Sequence, residues 1–154
     1  MLSTTHVVDI RELSYYFDAM SKRANKVPST PLPTEAELAI LQVLWSSGPQ
    51  TVREVHAALT DRQTGYTTAL KQMQVMTEKG LLTRSERFRS HVYTAKQPQE
   101  RTQQRLLTNL LQRAFAGSAK DLVLGALSAR PVSAAELTEI KALIQQFERE
   151  ETKP

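Results

Sequence analysis

The residues best suited to binding chemistry lie between Gly65 and Thr94, where a helical repeat is followed by an alternating pattern. Successive helical residues are turned by about 100°, so polar side chains fall opposite the apolar stripe Ala69, Met73 and Met76. Threonine hydroxyls reach phosphates or base edges, threonine and valine methyl groups contact the thymine methyl, and lysine reaches guanine or phosphate. In an arbitrary helix this side is only a solvated face, so the surrounding elements decide its role. The candidate contact residues on this helix are Thr67, Thr68, Lys71, Gln72 and Val75.

A second candidate group lies at the tip of the alternating segment, where Arg87 and Arg89 flank Phe88, with Arg84 nearby on the first strand. Arginines at a hairpin tip either keep an exposed turn soluble or contact the backbone and minor groove of DNA. We favour phosphate contact, because nothing in the tip indicates base reading. Phe88 has two interpretations, a wedge into DNA or packing onto the base of the hairpin.

The charge distribution favours a polyanionic partner. The chain of 154 residues has 20 basic and 16 acidic residues, and its net charge of +4 is weak evidence by itself. Residues 79–96 hold five basic side chains against one acid, and residues 20–30 hold three basic side chains and no acid. Such clustering is typical of a nucleic-acid footprint. The basic stretch 22–26 is equally consistent with an arm on phosphates and with a solvated linker.

The sequence offers no credible catalytic, metal or cofactor constellation, so we expect a protein that is not an enzyme and needs no cofactor. It has no cysteine, which excludes disulfides, thiolate metal sites and cysteine nucleophiles. His6, His56 and His91 have no second histidine or carboxylate at ligand spacing, and we interpret each as a structural core residue.

Residues 1–30 are predicted to form an N-terminal extension and linker. Apolar residues recur at helical spacing before Met20, and three prolines between residues 26 and 33 require an extended linker. Met20 is therefore a candidate alternative start. No apolar run approaches the ~20 residues of a membrane span, and no secretion signal is present, so we expect a cytoplasmic protein.

Residues 31–96 are predicted to form three short helices and a hairpin. Capping boxes open the first two helices, TEAE at Thr34 and TVRE at Thr51. The third helix is expected over residues 66–79. The inward faces of the first two are predicted to be Leu38, Leu41, Leu44 and Trp45, then Val52, Val55 and Leu59.

The period then changes to alternation, which predicts strands at 82–86 and 91–95 with RFRS at the tip, together forming a wing over 82–95. This order is typical of a winged helix-turn-helix domain, whose third helix enters the major groove.

Residues 97–154 are predicted to form three amphipathic helices, the last opened by a third capping box, SAAE at Ser133. This tail is too short to bury its own apolar faces well, so burial against a second copy is the economical solution. The expected fold class is thus mainly α with a small β-hairpin, a winged helix-turn-helix domain plus a C-terminal helical dimerisation region. The candidate dimerisation residues are Leu106, Leu110, Phe115, Leu122, Leu127, Leu137, Ile140 and Ile144.

Four stretches resemble successive elements of the penicillinase-repressor (BlaI/MecI) family. In order along the chain, they are LPTEAELAILQVLW for the opening helix, TVREVHAAL for the second helix, GYTTALKQMQVMTEKGLL for the recognition helix and RSHVYTA for the wing strand. The stretch FAGSAKDLVLGALSARPVSAAELTEIKALI resembles its dimerisation segment. The resemblance implies a homodimeric bacterial repressor that binds a palindromic operator, with target genes in the β-lactam or a related stress response. It carries DNA contact over to Thr67, Thr68, Lys71, Arg87 and Arg89.

Three departures from the family pattern bear on function. Val75 stands where the family usually has arginine. Gly125-Ala126 stands where the best-known members have an Asn-Phe step that a sensor-protease cuts, so that partner is left unknown. The absence of cysteine excludes the cysteine-based release of the copper-responsive branch.

The sequence thus predicts a homodimeric repressor that binds double-stranded operator DNA through helix 66–79 and wing 82–95. Two alternatives stay open. One is a winged-helix protein-interaction module without DNA affinity, and the other is an accessory subunit whose tail docks on a larger partner.

Overall fold

The computed structural model describes residues 30–59 and 64–153, so the predictions for the N-terminal extension, its basic stretch and Met20 lie outside the described residues. The described helices are α1 (Glu35–Ser47), α2 (Val52–Ala58), α3 (Tyr66–Glu78), α4 (Gln99–Ala114), α5 (Ala119–Ala129) and α6 (Ala134–Glu151). The described strands are β1 (Gln50–Thr51), β2 (Leu82–Arg87) and β3 (Ser90–Ala95). The chain divides into two compact units, one ending at Gln97 and the other beginning at Pro98. The mainly α fold with a winged-helix unit is as predicted.

Two predicted capping boxes are formed in full. The Thr34 hydroxyl accepts from the Glu37 amide at 3.3 Å while Glu37 accepts from the Thr34 amide at 2.9 Å. Thr51 and Glu54 exchange the same pair of bonds at 3.3 and 2.7 Å. These bonds satisfy amides that have no partner within the helix, and so fix the starts of α1 and α2.

Only one of the two hydrogen bonds of the third predicted capping box is formed, so that prediction is wrong for the bond from the Ser133 amide to Glu136. The Ser133 hydroxyl accepts from the Glu136 amide at 3.1 Å, so the cap exists. The Glu136 carboxylate does not bond back to Ser133, because it is engaged by Arg130, whose Nη2 donates to Oε1 at 2.8 Å.

The sheet has three antiparallel strands in the order β1-β3-β2, where the sequence predicted only a hairpin. The added strand pairs Gln50 with Tyr93 and Thr51 with Val92. Two residues are too few to show an alternating pattern, which is why β1 was not predicted. The hairpin strands also run one residue further toward the tip on each side, so Arg87 pairs with Ser90 and belongs to β2.

The core of the first unit lies between α1, α2, α3 and the sheet. The buried face of α1 differs from the predicted one. Ile40, which was not predicted, is fully buried, whereas the predicted Leu38 is only half-buried. The reason is that α1 packs against α2, α3 and β3 at once, which a single predicted stripe does not capture. The α3 stripe is buried as predicted. The core residues are Ile40, Leu41, Leu44, Val52, Val55, Ala69, Met73, Met76, Leu81, Leu82 and Tyr93.

None of the described helices is both long enough and apolar enough to cross a membrane.

Candidate nucleic-acid interface

The position of α3 is fixed at its C-terminal end by a buried acid. Lys79, which follows the last helical residue, donates through Nζ to Oε1 of Glu37 at 2.6 Å, and the Glu37 side chain is almost completely buried. Glu37 also completes the capping box of α1, so one carboxylate ties the start of α1 to the end of α3. Burial raises the pKa of Glu37, but hydrogen bonds from Lys79 and Thr34 outweigh it and hold that pKa below its ordinary value of 4.5.

This ion pair corrects the predicted electrostatic footprint. Lys79 was counted among the basic residues of the stretch 79–96, yet its charge is compensated by Glu37 inside the domain. The remaining basic side chains of that stretch, Arg84, Arg87, Arg89 and Lys96, are exposed. Within the stretch 79–96, the uncompensated positive charge therefore lies on the hairpin and on Lys96.

The N-terminal end of α3 is held by His56 on α2. Its Nε2–H donates to the Thr64 carbonyl at 2.8 Å, and its ring meets Tyr66 edge-on at a centroid distance of 6.1 Å. His56 is thus a structural residue, half-buried. The prediction of a core histidine is wrong for His91, which is exposed on the wing opposite Glu86. His6 lies outside the described residues. In the described ranges no three histidine or acidic side chains come together to hold a metal.

The outward side of α3 carries most of the predicted contact residues. Thr67, Thr68 and Lys71 are exposed, whereas Gln72 and Val75 are half-buried and offer only part of their side chains. Of the five predicted residues, the exposed three are therefore the most accessible to a ligand.

The prediction missed Gln74, which is exposed on the same side. It follows Thr67 by seven residues, which places the two within about 20° of each other around the helix axis. The helical periodicity therefore already contained the signal. A glutamine at this place matches the paired donor and acceptor that adenine shows in the major groove.

The arginines of the wing do not share one face. Residues directly opposite each other in an antiparallel pair lie on the same side of the sheet. Arg84 is opposite the buried Tyr93, whereas Arg87, three residues further, lies on the other side opposite Ser90. Arg89 follows in the turn. The wing thus carries an arginine on each face and a third in its turn, with Glu86 on the same face as Arg84.

The turn between β2 and β3 has an unusual backbone. Phe88 and Arg89 have φ of 51° and 63°, so both are left-handed, as in a type I′ hairpin turn. Such turns favour Asn-Gly. A residue other than glycine, asparagine or aspartate in a left-handed position costs about 1–2 kcal/mol of conformational free energy. Phe88 is 92% exposed, so the interpretation that it packs onto the base of the wing is wrong.

The outward charges are not paired with acids among the residues that the structure describes. Within residues 30–59 and 64–153, the side chains of Lys71, Arg84, Arg87 and Arg89 form no ion pair with an acid. At the base of the wing, Trp45 Nε1 donates to the Gln97 carbonyl at 3.0 Å, which anchors the chain where it leaves β3. The chain is thus anchored at the base of the hairpin, while these four cations have no acidic partner among the described residues.

A trihelical unit that exposes the polar side of its third helix beside a basic hairpin has the arrangement of a winged helix-turn-helix domain. The sequence matches the family described as penicillinase repressor over residues 33–146. The chain belongs to this family, and the resemblance seen in its sequence is confirmed.

Three solved structures with similar chains are distant from this chain in sequence. BpsR of Bordetella bronchiseptica, in a study of how 6-hydroxynicotinic acid regulates its DNA binding, is 17% identical with a TM-score of 0.40 over 96% of this chain and 98% of that one. A MarR family protein from Bacillus stearothermophilus is 17% identical with a TM-score of 0.43, and the match covers 99% of this chain and 100% of that one. The adhesin competence repressor AdcR of Streptococcus pyogenes is 15% identical with a TM-score of 0.37 over 92% and 96%. Likeness at this level carries no argument about function. No curated protein matches the sequence significantly.

Proposed function

We propose that this family member is a homodimeric repressor, in which the α3 helix of each copy reads one half of a palindromic operator and each wing contacts the flanking backbone. The observation that carries the proposal is the outward side of α3, where Thr67, Lys71 and Gln74 are exposed and none of them serves the core. Hydroxyl, ammonium and amide groups together provide the donors and acceptors that base edges and phosphates require. Its place of action would be the cytoplasm, where bacterial operator DNA lies.

The second unit supports the homodimer. No hydrophobic side chain among residues 98–153 is buried, and most of the exposed large hydrophobic side chains of the described chain lie there. Of the candidate dimerisation residues, Leu110, Leu137 and Ile144 are exposed, and the others are half-buried: Leu106, Phe115, Leu122, Leu127 and Ile140. The structure adds five exposed side chains to this set: Leu107, Val123, Leu124, Leu143 and Phe147.

So much exposed apolar surface on one short unit is unusual for a monomer. A second copy that covers it with the same surface gives a closed twofold assembly. Because each half-site contact is weak, joining two of them raises the affinity for a palindrome far above that for one half-site. Any signal that separates the copies would therefore release the DNA.

The regulated genes are proposed from the family alone, as genes of the β-lactam or a related stress response. The family's proteolytic route is not part of the proposal, because Gly125 and Ala126 replace the Asn-Phe step within α5. The inducing signal and any sensor-protease therefore stay open.

Genome-wide footprinting of the wild-type protein, followed by a salt titration on the strongest site, tests the proposal. We expect a twofold-symmetric site and an affinity that falls steeply with salt, since each phosphate contact releases counterions. Binding indifferent to duplex DNA and salt would support the protein-interaction module. A stable complex with a different protein and no homodimer would support the accessory subunit.

A further inference from the structure

The tip of the wing presents an aromatic side chain that neither the core nor the proposed backbone contacts use. Phe88, at 92%, is the most exposed large hydrophobic side chain of the described residues, and the next is Leu124 at 61%. Leu124 belongs to the apolar surface of the second unit, whereas Phe88 stands alone. Phe88 is therefore not part of the apolar surface proposed for dimerisation.

The backbone at Phe88 shows that the residue is not there to stabilise the hairpin. Its φ of 51° is a left-handed conformation that asparagine or glycine adopts far more readily. Asparagine at this position would make the same turn with less strain. Strained residues of this kind occur preferentially at functional sites.

The charges around Phe88 indicate what it meets. Arg87 and Arg89 flank it, both are exposed, and neither pairs with an acid within the described residues. The side chain is thus an apolar group between two cations at the end of a two-stranded projection. The minor groove of DNA has a matching arrangement, because two phosphate backbones flank a row of base steps between which an apolar wedge can insert.

We propose that Phe88 is a wedge that enters the minor groove beside each half-site and partly unstacks one base step, while Arg87 and Arg89 hold the phosphates on either side. This inference rests on the proposed function, because it requires the wing to lie on DNA. A wedge gives specificity without hydrogen bonds to bases. Flexible pyrimidine–purine steps such as TA or CA unstack easily, so they should be preferred under the wing.

The test uses the full-length chain and the strongest duplex recovered by footprinting with the wild-type protein. The fluorescent adenine analogue 2-aminopurine replaces adenine at the step under each wing, and its fluorescence rises when that base is unstacked. Phe88→Asn removes the wedge but keeps the left-handed turn, and Phe88→Leu keeps an apolar wedge. Thermal unfolding checks that both variants are folded.

We expect the wild type and Phe88→Leu to raise the fluorescence at saturating protein, and Phe88→Asn to leave it unchanged. We also expect Phe88→Asn to weaken binding about tenfold for each half-site, the scale of one base–aromatic contact, without lowering the unfolding temperature. A signal that is absent in the wild type, or that persists in Phe88→Asn, would overturn the wedge. If footprinting with the wild-type protein recovers no bound duplex, the proposed function is overturned, and the wedge with it.

Discussion

Lys71 is the residue on which the proposed interface depends most directly, because it is the exposed cation on the outward side of α3. We expect Lys71→Ala to weaken operator binding by about 1–3 kcal/mol per half-site if the ammonium group reads a base. If it binds a phosphate, the decrease of log affinity with log salt concentration should become less steep. The slope should change by about one for each phosphate that the lysine no longer neutralises. Fluorescence anisotropy over a range of salt concentrations separates the two cases.

Lys141→Ala is the matched control, because Lys141 is an exposed lysine on α6 and the substitution removes the same charge. The control should bind like the wild type. Equal affinities for Lys71→Ala and the wild type would refute the role of this side of α3.

Gln74 should determine specificity rather than overall affinity. The amide can bond to the N6 and N7 positions of adenine, a pairing that discriminates against other bases by about 1–3 kcal/mol. Gln74→Ala should therefore relax the preference at one operator position per half-site and leave the others unchanged. Binding to a library of single-base operator variants measures this, with the exposed Gln145→Ala on α6 as control. An unchanged base preference would exclude Gln74 from base reading.

At the scale of residues, the sequence predicted what local periodicity controls. The buried stripe of α3 and the exposure of Thr67 and Lys71 both follow from a spacing of about 3.6 residues per turn. Lys79 was misjudged because its partner Glu37 is 42 residues away, and nothing local in the sequence indicates that contact. Glu37 was recognised only as a capping residue, although the same carboxylate carries both roles.

At the scale of elements, the pair Glu37–Lys79 should make the seating of α3 depend on pH. The pKa of Glu37 is lowered in the folded protein, so the unfolded state binds more protons in acid. The stabilisation is therefore complete at neutral pH and is lost as the pH falls below about 4.5, through the lower folded pKa.

We expect Glu37→Gln to destabilise the protein by about 2 kcal/mol at neutral pH, between the values for surface and buried pairs. The difference from the wild type should shrink as the pH falls through the lowered folded pKa of Glu37, because the carboxyl then becomes protonated in the folded state as well. Urea unfolding at several pH values measures it. A difference that stays constant with pH would contradict the assignment.

Glu54→Gln is the comparison for the helix cap alone. Hydrogen bonds from the Thr51 amide and hydroxyl lower the pKa of Glu54, but this exposed carboxylate has no lysine partner within the described residues. Glu54→Gln should therefore have a smaller effect than Glu37→Gln. If Glu54→Gln lowered the free energy of unfolding more than Glu37→Gln does, helix capping and not the ion pair would be the main contribution of Glu37.

The elements themselves were largely predictable, because capping boxes and prolines mark their ends locally. Strand β1 was not, since its two residues are defined only by pairing with Tyr93 and Val92 some forty positions later. The left-handed turn was also unpredictable, because Phe-Arg is not a turn signature and the geometry is imposed by the register of β2 and β3.

At the scale of the whole molecule, the apolar surface of the second unit should hold two copies together. Leu110→Asp places a charge within that surface, and we expect a monomer with a much reduced affinity for a palindrome, because a buried unpaired carboxylate is costly. Thr108→Asp is the control, since Thr108 is an exposed polar residue of the same helix and is not part of the apolar surface. Sedimentation velocity that still shows dimers for Leu110→Asp would contradict this interface.

The most direct test of the account is hydroxyl-radical footprinting of the wild-type protein on its strongest genomic site. If two copies each place α3 and a wing on one half-site, two equal protected segments should appear, related by twofold symmetry. Their centres should lie a whole number of helical turns of about 10 base pairs apart. Both segments should disappear together in Leu110→Asp at the same concentration. A single protected half-site, or no protection at any salt concentration, would contradict the proposed homodimeric repressor.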